Sequence, residues 1–148
     1  MSAQRSVVAP PLAHFSLGNL VIATGAFILA GILGGISADL GVSVSAAGQA
    51  MTAYAISTAI LAPLLLVMTG RLQRKQAMAL ALGLFAAGNV VSAMAPNLTL
   101  LLTGRVQMSA GAMFTPIVAG LAVAGTPPDK RGKALSLVFL GISLSYVV

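Results

Sequence analysis

The chain has 148 residues, of which 58% are hydrophobic and only 7% are charged, and its mean hydropathy is +1.02. Soluble domains carry roughly 25% charged residues, so this composition indicates an integral membrane protein. The net charge of +6 does not indicate nucleic-acid binding, because the cations form three short clusters and not a dense basic stripe. Cysteine and glutamate are absent and there is one histidine, so no metal site, no cofactor and no enzymatic activity are predicted.

The first apolar run covers residues 15–33, which carry no charge. About 20 residues cross the roughly 30 Å hydrocarbon core of a bilayer, so this run predicts a membrane span that follows a cytoplasmic tail of residues 1–14. A cleaved signal peptide is the alternative, since Arg5 precedes the run, but the apolar region of such a peptide usually has about 7 to 15 residues. Residues 34–41 contain glycines and the first acid, Asp39, and predict a short connection on the far side of the membrane.

Four further apolar runs follow, separated by short segments rich in turn residues. The last run has only 15 residues, fewer than a full span needs, so the chain is expected to be a fragment of a longer protein. The predicted fold class is all-α integral membrane, with four complete transmembrane helices and a truncated fifth. The predicted spans lie at residues 15–33, 46–68, 76–95, 98–125 and 134–148, and together form a transmembrane bundle over residues 15–148.

Local signals mark where these helices begin, bend and end. Ser43 precedes the second run, and its hydroxyl can cap the first turn of a helix. Pro63 in the second run and Pro116 in the fourth are expected to kink their helices, which membrane proteins tolerate because neighbouring groups satisfy the freed carbonyl. Pro96 and Asn97 predict a tight, uncharged turn between the third and fourth runs.

The positions of the cations predict which side of the membrane each loop faces. Seven of the eight lie in the N-terminal tail, in the connection between the second and third runs, and in the connection between the fourth and fifth. Because cytoplasmic loops carry an excess of Lys and Arg, we expect the N-terminus to be cytoplasmic. The seven cations are Arg5, Arg71, Arg74, Lys75, Lys130, Arg131 and Lys133.

The eighth cation, Arg105, lies inside the fourth apolar run. Seven residues into a helix correspond to a depth of about 10 Å, where an Arg costs up to about 2.5–3.5 kcal/mol on insertion scales. One interpretation is that the side chain reaches back to the headgroups and anchors the helix end. The other is that it faces the bundle interior or an aqueous cavity and contacts substrate, a carboxylate or backbone carbonyls.

Residues 69–75, TGRLQRK, resemble the loop between the second and third spans of the major facilitator superfamily, whose pattern is G-x-x-x-D-R-x-G-R-[K/R]. Arg71, Arg74 and Lys75 match its cations, and the resemblance implies a cytoplasmic gate loop. Three positions depart from the pattern: Leu66 stands at the first glycine, Gly70 at the aspartate and Gln73 at the second glycine. In that family the aspartate helps to clamp the cytoplasmic gate, so its absence puts that contact in doubt.

The fourth run carries a second resemblance, to the R-x-x-x-G-x-G pattern of the same family. Arg105 takes the arginine, Ser109 replaces the first glycine, and Gly111 takes the last. Residues 127–134 are similar to the family's basic connection between spans four and five. Residues 39–50 resemble the first outer loop and second-helix entry of bacterial exporters of arabinose, purine nucleosides and drugs.

The resemblance implies a twelve-helix transporter whose two six-helix halves are each built from inverted three-helix repeats. This chain would supply part of the N-terminal half, in a bacterial cytoplasmic (inner) membrane. The implied activity is secondary active efflux of small solutes by alternating access, with proton antiport as one mode of coupling. The implied partners are the lipid bilayer, a small-molecule substrate, protons and the C-terminal half of the same protein, with no nucleic acid. A non-transporting membrane scaffold, complete at this length, is the alternative.

Side chains in the middle of the spans are candidates for lining a substrate cavity. The resemblance marks Arg105 and Gly111 as intramembrane coupling or substrate residues. The additional cavity-lining candidates are Asn19, Thr24, Tyr54, Gln107 and Met108. These five side chains can instead serve interhelical hydrogen bonding or packing, which is their more frequent role in membrane bundles.

Overall fold

The computed structural model describes residues 11–147, and it contains six α-helices joined by short turns. Arg5, most of the predicted N-terminal tail and Val148 lie outside the described residues. The helices are α1 (Leu12–Leu40), α2 (Val44–Met68), α3 (Arg74–Ala93), α4 (Leu98–Ser109), α5 (Phe114–Ala124) and α6 (Arg131–Ser145). Short 3₁₀ turns lie at Thr69–Arg71, Ala110–Met113 and Pro128–Lys130.

Helix α1 continues through the segment that was expected to connect the first two spans. The expectation of a connection at residues 34–41 is wrong, because the helix runs to Leu40 and ends at Gly41. Glycines are tolerated in a helix that crosses or borders lipid, where the backbone groups must be paired internally. Gly41 stops the helix by adopting a left-handed conformation, with φ of 62°, that glycine adopts without steric cost.

The beginnings of α2 and α4 follow from side-chain caps. The Ser43 hydroxyl accepts a hydrogen bond from the Ala46 backbone N–H at 3.1 Å, as the sequence predicted. The Asn97 side chain accepts one from the Leu100 N–H at 2.9 Å. Each cap satisfies a backbone donor that has no partner within the first turn of its helix. Helix α2 is continuous through Pro63 and ends at Met68.

The fourth predicted span consists of two consecutive helices separated by a short 3₁₀ turn. Helix α4 ends at Ser109, the 3₁₀ turn Ala110–Met113 follows, and α5 begins at Phe114. Pro116 lies in the first turn of α5. Because proline has no N–H, the carbonyl four residues earlier loses its helical donor, which accounts for the tighter turn ahead of it.

Within residues 11–147, four candidate spans are long and apolar enough to cross a membrane: Leu12–Leu40, Val44–Arg71, Arg74–Ala93 and Leu98–Ala124. Helix α6, with 15 residues, is shorter. Large apolar side chains are exposed on the outside of the bundle, as expected where lipid replaces water; examples are Leu17, Ile28, Ile60, Val67 and Val90. The predicted fold class, an all-α bundle with four full spans and a shorter fifth, is confirmed.

The spans pack in pairs through glycines. Helix α1 lies along α6, and the chain of α4 lies along both α3 and α2. A Cβ atom on Gly141 would clash with the Ser16 carbonyl of α1, and one on Gly111 would lie 2.6 Å from the Phe85 Cβ of α3. Small residues at these points let the helix backbones approach closely, which is the common mode of helix association in membranes.

Candidate functional site

Arg105 lies inside the helix bundle and contacts α1. Its side chain is only 3% exposed, and Nη1 donates a hydrogen bond of 3.0 Å to the Gly25 carbonyl of α1. Nη1 also lies 3.4 Å from the Met108 sulfur, one turn along α4. A helix carbonyl has two lone pairs, so that of Gly25 can accept from Arg105 without giving up its bond within α1.

The absence of a side chain at Gly25 leaves room for the ring of Phe85 beside this contact. A Cβ atom there would lie 2.5 Å from the ring of Phe85, which α3 inserts between α1 and the fourth span. Phe85 also packs against Gly111. The predicted site residue Gly111 therefore lies at a close helix contact, where the role the structure shows is packing.

One fully buried nitrogen of Arg105 has no hydrogen-bond partner. The Nε atom is buried without a hydrogen-bond acceptor, and among residues 11–147 the Thr58 hydroxyl is in the same situation. An unpaired buried donor costs about 1–3 kcal/mol, and more when the group is charged. Unsatisfied buried polar groups are few in native proteins, and a functional role is one of the recognised reasons for keeping one.

A cavity of about 290 Å³ adjoins Arg105. Helix α1 supplies more than half of its lining residues, most of them apolar, and α3 and α4 supply most of the others. Arg105 of α4 lines it, and Asp39, in the last turn of α1, contributes a carboxylate. The lining residues with polar side chains are Asp39, Asn89, Ser92 and Arg105.

Two polar side chains of α3 line this cavity and have oxygen atoms that can still accept hydrogen bonds. The Asn89 amide donates to the Phe85 carbonyl at 2.9 Å, which leaves its oxygen free. The Ser92 hydroxyl donates to the Gly88 carbonyl at 2.8 Å and retains its lone pairs. An apolar cavity with a few oriented polar groups is the usual form of a small-molecule site.

The other predicted cavity residues do not line this cavity. Thr24 and Gln107 are half-buried, and Met108 is fully buried in the core. Tyr54 is half-buried on α2. Arg105 is thus the one predicted candidate that the described part of the chain places at the cavity wall.

Asn19 is fully buried and joins three helices. Its amide donates to the Val138 carbonyl of α6 at 2.9 Å. Its oxygen accepts a hydrogen bond of 2.8 Å from the Thr115 hydroxyl of α5. The amide nitrogen and the amide oxygen each bond to another helix, and the side chain is fully buried, which is an interhelical arrangement.

The loop cations lie at the opposite end of α3 from the cavity. Arg71 ends a 3₁₀ turn, and Arg74 and Lys75 begin α3. All three side chains are exposed. Within residues 11–147 no group of three His, Cys, Asp or Glu side chains is close enough to hold a metal ion.

Sequence reasoning missed four participants at the site: Gly25, Asp39, Asn89 and Ser92. A backbone carbonyl such as that of Gly25 leaves no mark in the sequence. Asp39 was assigned to a loop because α1 was expected to end earlier. Asn89 carries the clearest available signal, because it is a polar side chain inside the third apolar run.

Comparison with known proteins gives a consistent result. Residues 15–148 match the Major Facilitator Superfamily. The chain is 31% identical to the uncharacterized MFS-type transporter YbcL of Bacillus subtilis (strain 168) over 132 residues, which are 88% of this chain and 34% of YbcL. It is 32% identical over 147 residues to the uncharacterized MFS-type transporter YtbD of the same organism, covering 99% of this chain and 37% of YtbD.

A third relative comes from another bacterium. The inner membrane transport protein YdhP of Escherichia coli (strain K12) is 30% identical over 139 residues, covering 93% of this chain and 36% of YdhP. The chain therefore spans about a third of the length of the curated relatives it matches.

Proposed function

Because the chain belongs to the major facilitator superfamily, we propose that it forms the N-terminal part of a secondary active transporter that exports small solutes by alternating access. In this mechanism two halves of the protein rock about a site near the middle of the membrane. The described bundle supplies helices of one half, and the other half is contributed by sequence that this chain does not span. We place the transporter in a bacterial inner membrane, with support from the similarity to YdhP, which is named an inner membrane transport protein.

The observation that carries this proposal is the placement of Arg105. A guanidinium inside a span is retained at a cost, and such residues face a bundle interior or a cavity and mark substrate or ion pathways. Arg105 has this environment, since it is buried between helices, holds one carbonyl of α1 and keeps Nε unpaired. We assign it a direct role in binding the solute or in coupling its movement to an ion.

The proposed topology has a cytoplasmic N-terminus. The loop cations from Arg71 to Lys75 and from Lys130 to Lys133 would then share the cytoplasmic side, in agreement with the positive-inside rule. The cavity beside Arg105 would open toward the outer side, because it is lined near the end of α1 and the start of α4.

Proton antiport is the coupling mode that we propose. A proton-coupled carrier needs a carboxylate inside the membrane. Within residues 11–147 the two acids are Asp39, at the end of α1, and Asp129, in the turn before α6. The proton-binding carboxylate is therefore expected in the part of the transporter that this chain does not span, with Arg105 acting on the solute side of the exchange.

Transport by the full-length protein tests the proposal. Ethidium and a panel of other fluorescent solutes would be loaded into cells that express the wild-type transporter, Arg105→Ala or Arg131→Ala. The last variant removes the same side chain from an exposed position at the start of α6. We expect wild type and Arg131→Ala to export at least one solute, export to stop with a protonophore, and Arg105→Ala to lose it while membrane insertion is unchanged.

Two results would contradict this assignment. Arg105→Ala that exports at the wild-type rate with an unchanged pH dependence would exclude a role for the guanidinium. Export that persists without a proton gradient would exclude proton antiport, whereas the family membership would stand.

A further inference from the structure

Helix α1 holds the fourth span at two points, one on each side of its 3₁₀ turn. On the N-terminal side of the turn, the Gly25 carbonyl of α1 accepts a hydrogen bond from Arg105 of α4. On the C-terminal side, the Asn19 side chain of α1 accepts a hydrogen bond from the Thr115 hydroxyl of α5. The turn itself, Ala110–Met113, lies between the two attachments. The orientation of α4 relative to α5 is therefore tied to a single helix at both ends of the bend.

The attachment at Asn19 is the firmer of the two. Asn19 is fully buried and uses its amide nitrogen to hold Val138 of α6 as well. The ring of Phe114, next to Thr115, fills the space over Gly18, where a Cβ atom would lie 2.5 Å from its Cε1 atom. A side-chain hydrogen bond and an aromatic ring thus fix the first turn of α5 on α1.

The attachment at Arg105 is incomplete. Arg105 makes one bond to α1 through Nη1, while Nε is buried without an acceptor. The helix that carries Arg105 joins α5 through a 3₁₀ turn ahead of Pro116. Stretches of 3₁₀ geometry in mid-helix and prolines are recurrent points of bending, because the regular hydrogen-bond ladder is interrupted there.

We propose that Asn19 and Thr115 are positioning residues for Arg105, and that the turn at Ala110–Met113 is the hinge through which they act. The Asn19–Thr115 hydrogen bond fixes α5 on α1, and the hinge then sets where α4 holds the guanidinium against the Gly25 carbonyl. When that hydrogen bond is lost, α5 is no longer held on α1 beside the hinge. The angle between α4 and α5 can then change, and Arg105 leaves its buried position more often. The role in transport rests on the proposed function, whereas the structural claim does not.

Chemical modification of Arg105 tests the structural claim without any substrate. The 148-residue chain in lipid nanodiscs would be treated with phenylglyoxal, which reacts with accessible guanidinium groups, and modification at Arg105 would be quantified by peptide mass spectrometry. The exposed Arg71, Arg74 and Arg131 provide internal standards for reagent activity. At 3% exposure, Arg105 should react slowly in the wild type.

Substitutions at Thr115 separate the hydrogen bond from the packing. Thr115→Val keeps the shape and removes the donor, and it should raise Arg105 modification about fivefold, the population change expected for loss of one hydrogen bond. Thr115→Ser restores the hydroxyl and should return modification toward the wild-type level. Thr103→Val is the matched control, since that hydroxyl bonds within α4 to the Thr99 carbonyl and lies outside the proposed hinge.

A double variant distinguishes a hinge from general loosening. Pro116→Ala supplies the missing N–H and should convert the bend into continuous α-helix. In that background Thr115→Val should no longer change the extent to which phenylglyoxal modifies Arg105, because α4 and α5 then form one rigid helix without a hinge. Asn19→Leu repeats the test from the other side of the hydrogen bond.

The proposal is overturned if Thr115→Val leaves Arg105 modification at the wild-type level. It is also overturned if Thr103→Val raises modification equally, or if Thr115→Val acts equally with and without Pro116, since either result would mean loosening of the whole bundle. None of these outcomes depends on transport, so a failure of the proposed function would be seen separately in the efflux assay.

Discussion

Gly88 of α3 and Gly104 of α4 cross at backbone contact distance. A Cβ atom on Gly104 would lie 2.9 Å from the Gly88 carbonyl oxygen and 2.7 Å from the Ser92 nitrogen, and one on Gly88 would lie 2.7 Å from the Gly104 carbonyl oxygen. Gly104 immediately precedes Arg105, so this crossing also sets the depth at which α4 carries its guanidinium. The helix pair is therefore part of the support of the site.

A methyl group at this crossing should destabilise the bundle. Gly104→Ala forces α3 and α4 apart, and overpacking of this kind costs about 1–3 kcal/mol. Thermal unfolding of the chain in lipid nanodiscs, followed by circular dichroism, measures the effect. Gly120→Ala is the matched control, because nothing lies within 4 Å of a Cβ atom there. Equal stability of the two variants would show that the crossing is looser than the structure indicates.

The topology can be tested because the chain has no cysteine. Single cysteines at Leu72, in the turn before α3, and at Met94, just after it, are both exposed. With a cytoplasmic N-terminus, a membrane-impermeant maleimide should label Met94→Cys on intact cells and Leu72→Cys only after permeabilisation. The reverse pattern would place the N-terminus outside and would refute the proposed orientation.

The chain expressed alone should insert in the membrane without transporting. Its four candidate spans carry enough apolar surface for insertion, but alternating access requires a second half that closes the cavity. Membrane fractionation and the ethidium efflux assay would measure the two properties on the same cells. Efflux by the 148-residue chain alone would contradict the proposal that transport requires a second half.

The fold could be predicted in large part because the bilayer imposes a length on every span. Uncharged runs mark the helices, and the cap at Ser43 could be predicted because it acts on a neighbouring N–H group. Asn97 was predicted only as part of a turn, and in the structure it also caps α4. Residues 34–41 were assigned wrongly because glycine weakens helices in water. In a helix of this kind the need to pair every backbone group outweighs that local preference.

From the sequence, the site was predictable only at a position where a charged side chain interrupts an apolar run. Arg105 was recognisable as a charge within an apolar run. Its acceptor, the Gly25 carbonyl, was not, because every residue has a carbonyl and helix pairing decides which one is reached. Asn19 was recognised as polar, but its bonds to Thr115 and Val138 depend on which helices adjoin α1.

Replacing Arg105 by methionine should separate stability from function. Methionine has a similar length and no unpaired donor, so the cost of the buried Nε without an acceptor, about 1–3 kcal/mol or more for a charged group, is removed. We therefore expect Arg105→Met to unfold at the same temperature as the wild type or higher, and the full-length variant to lose export. Arg105→Ala should instead lower the unfolding temperature, since it leaves a cavity. A large loss of stability in Arg105→Met would mean that the hydrogen bond to the Gly25 carbonyl holds the bundle together, and the expected separation of stability from export would fail.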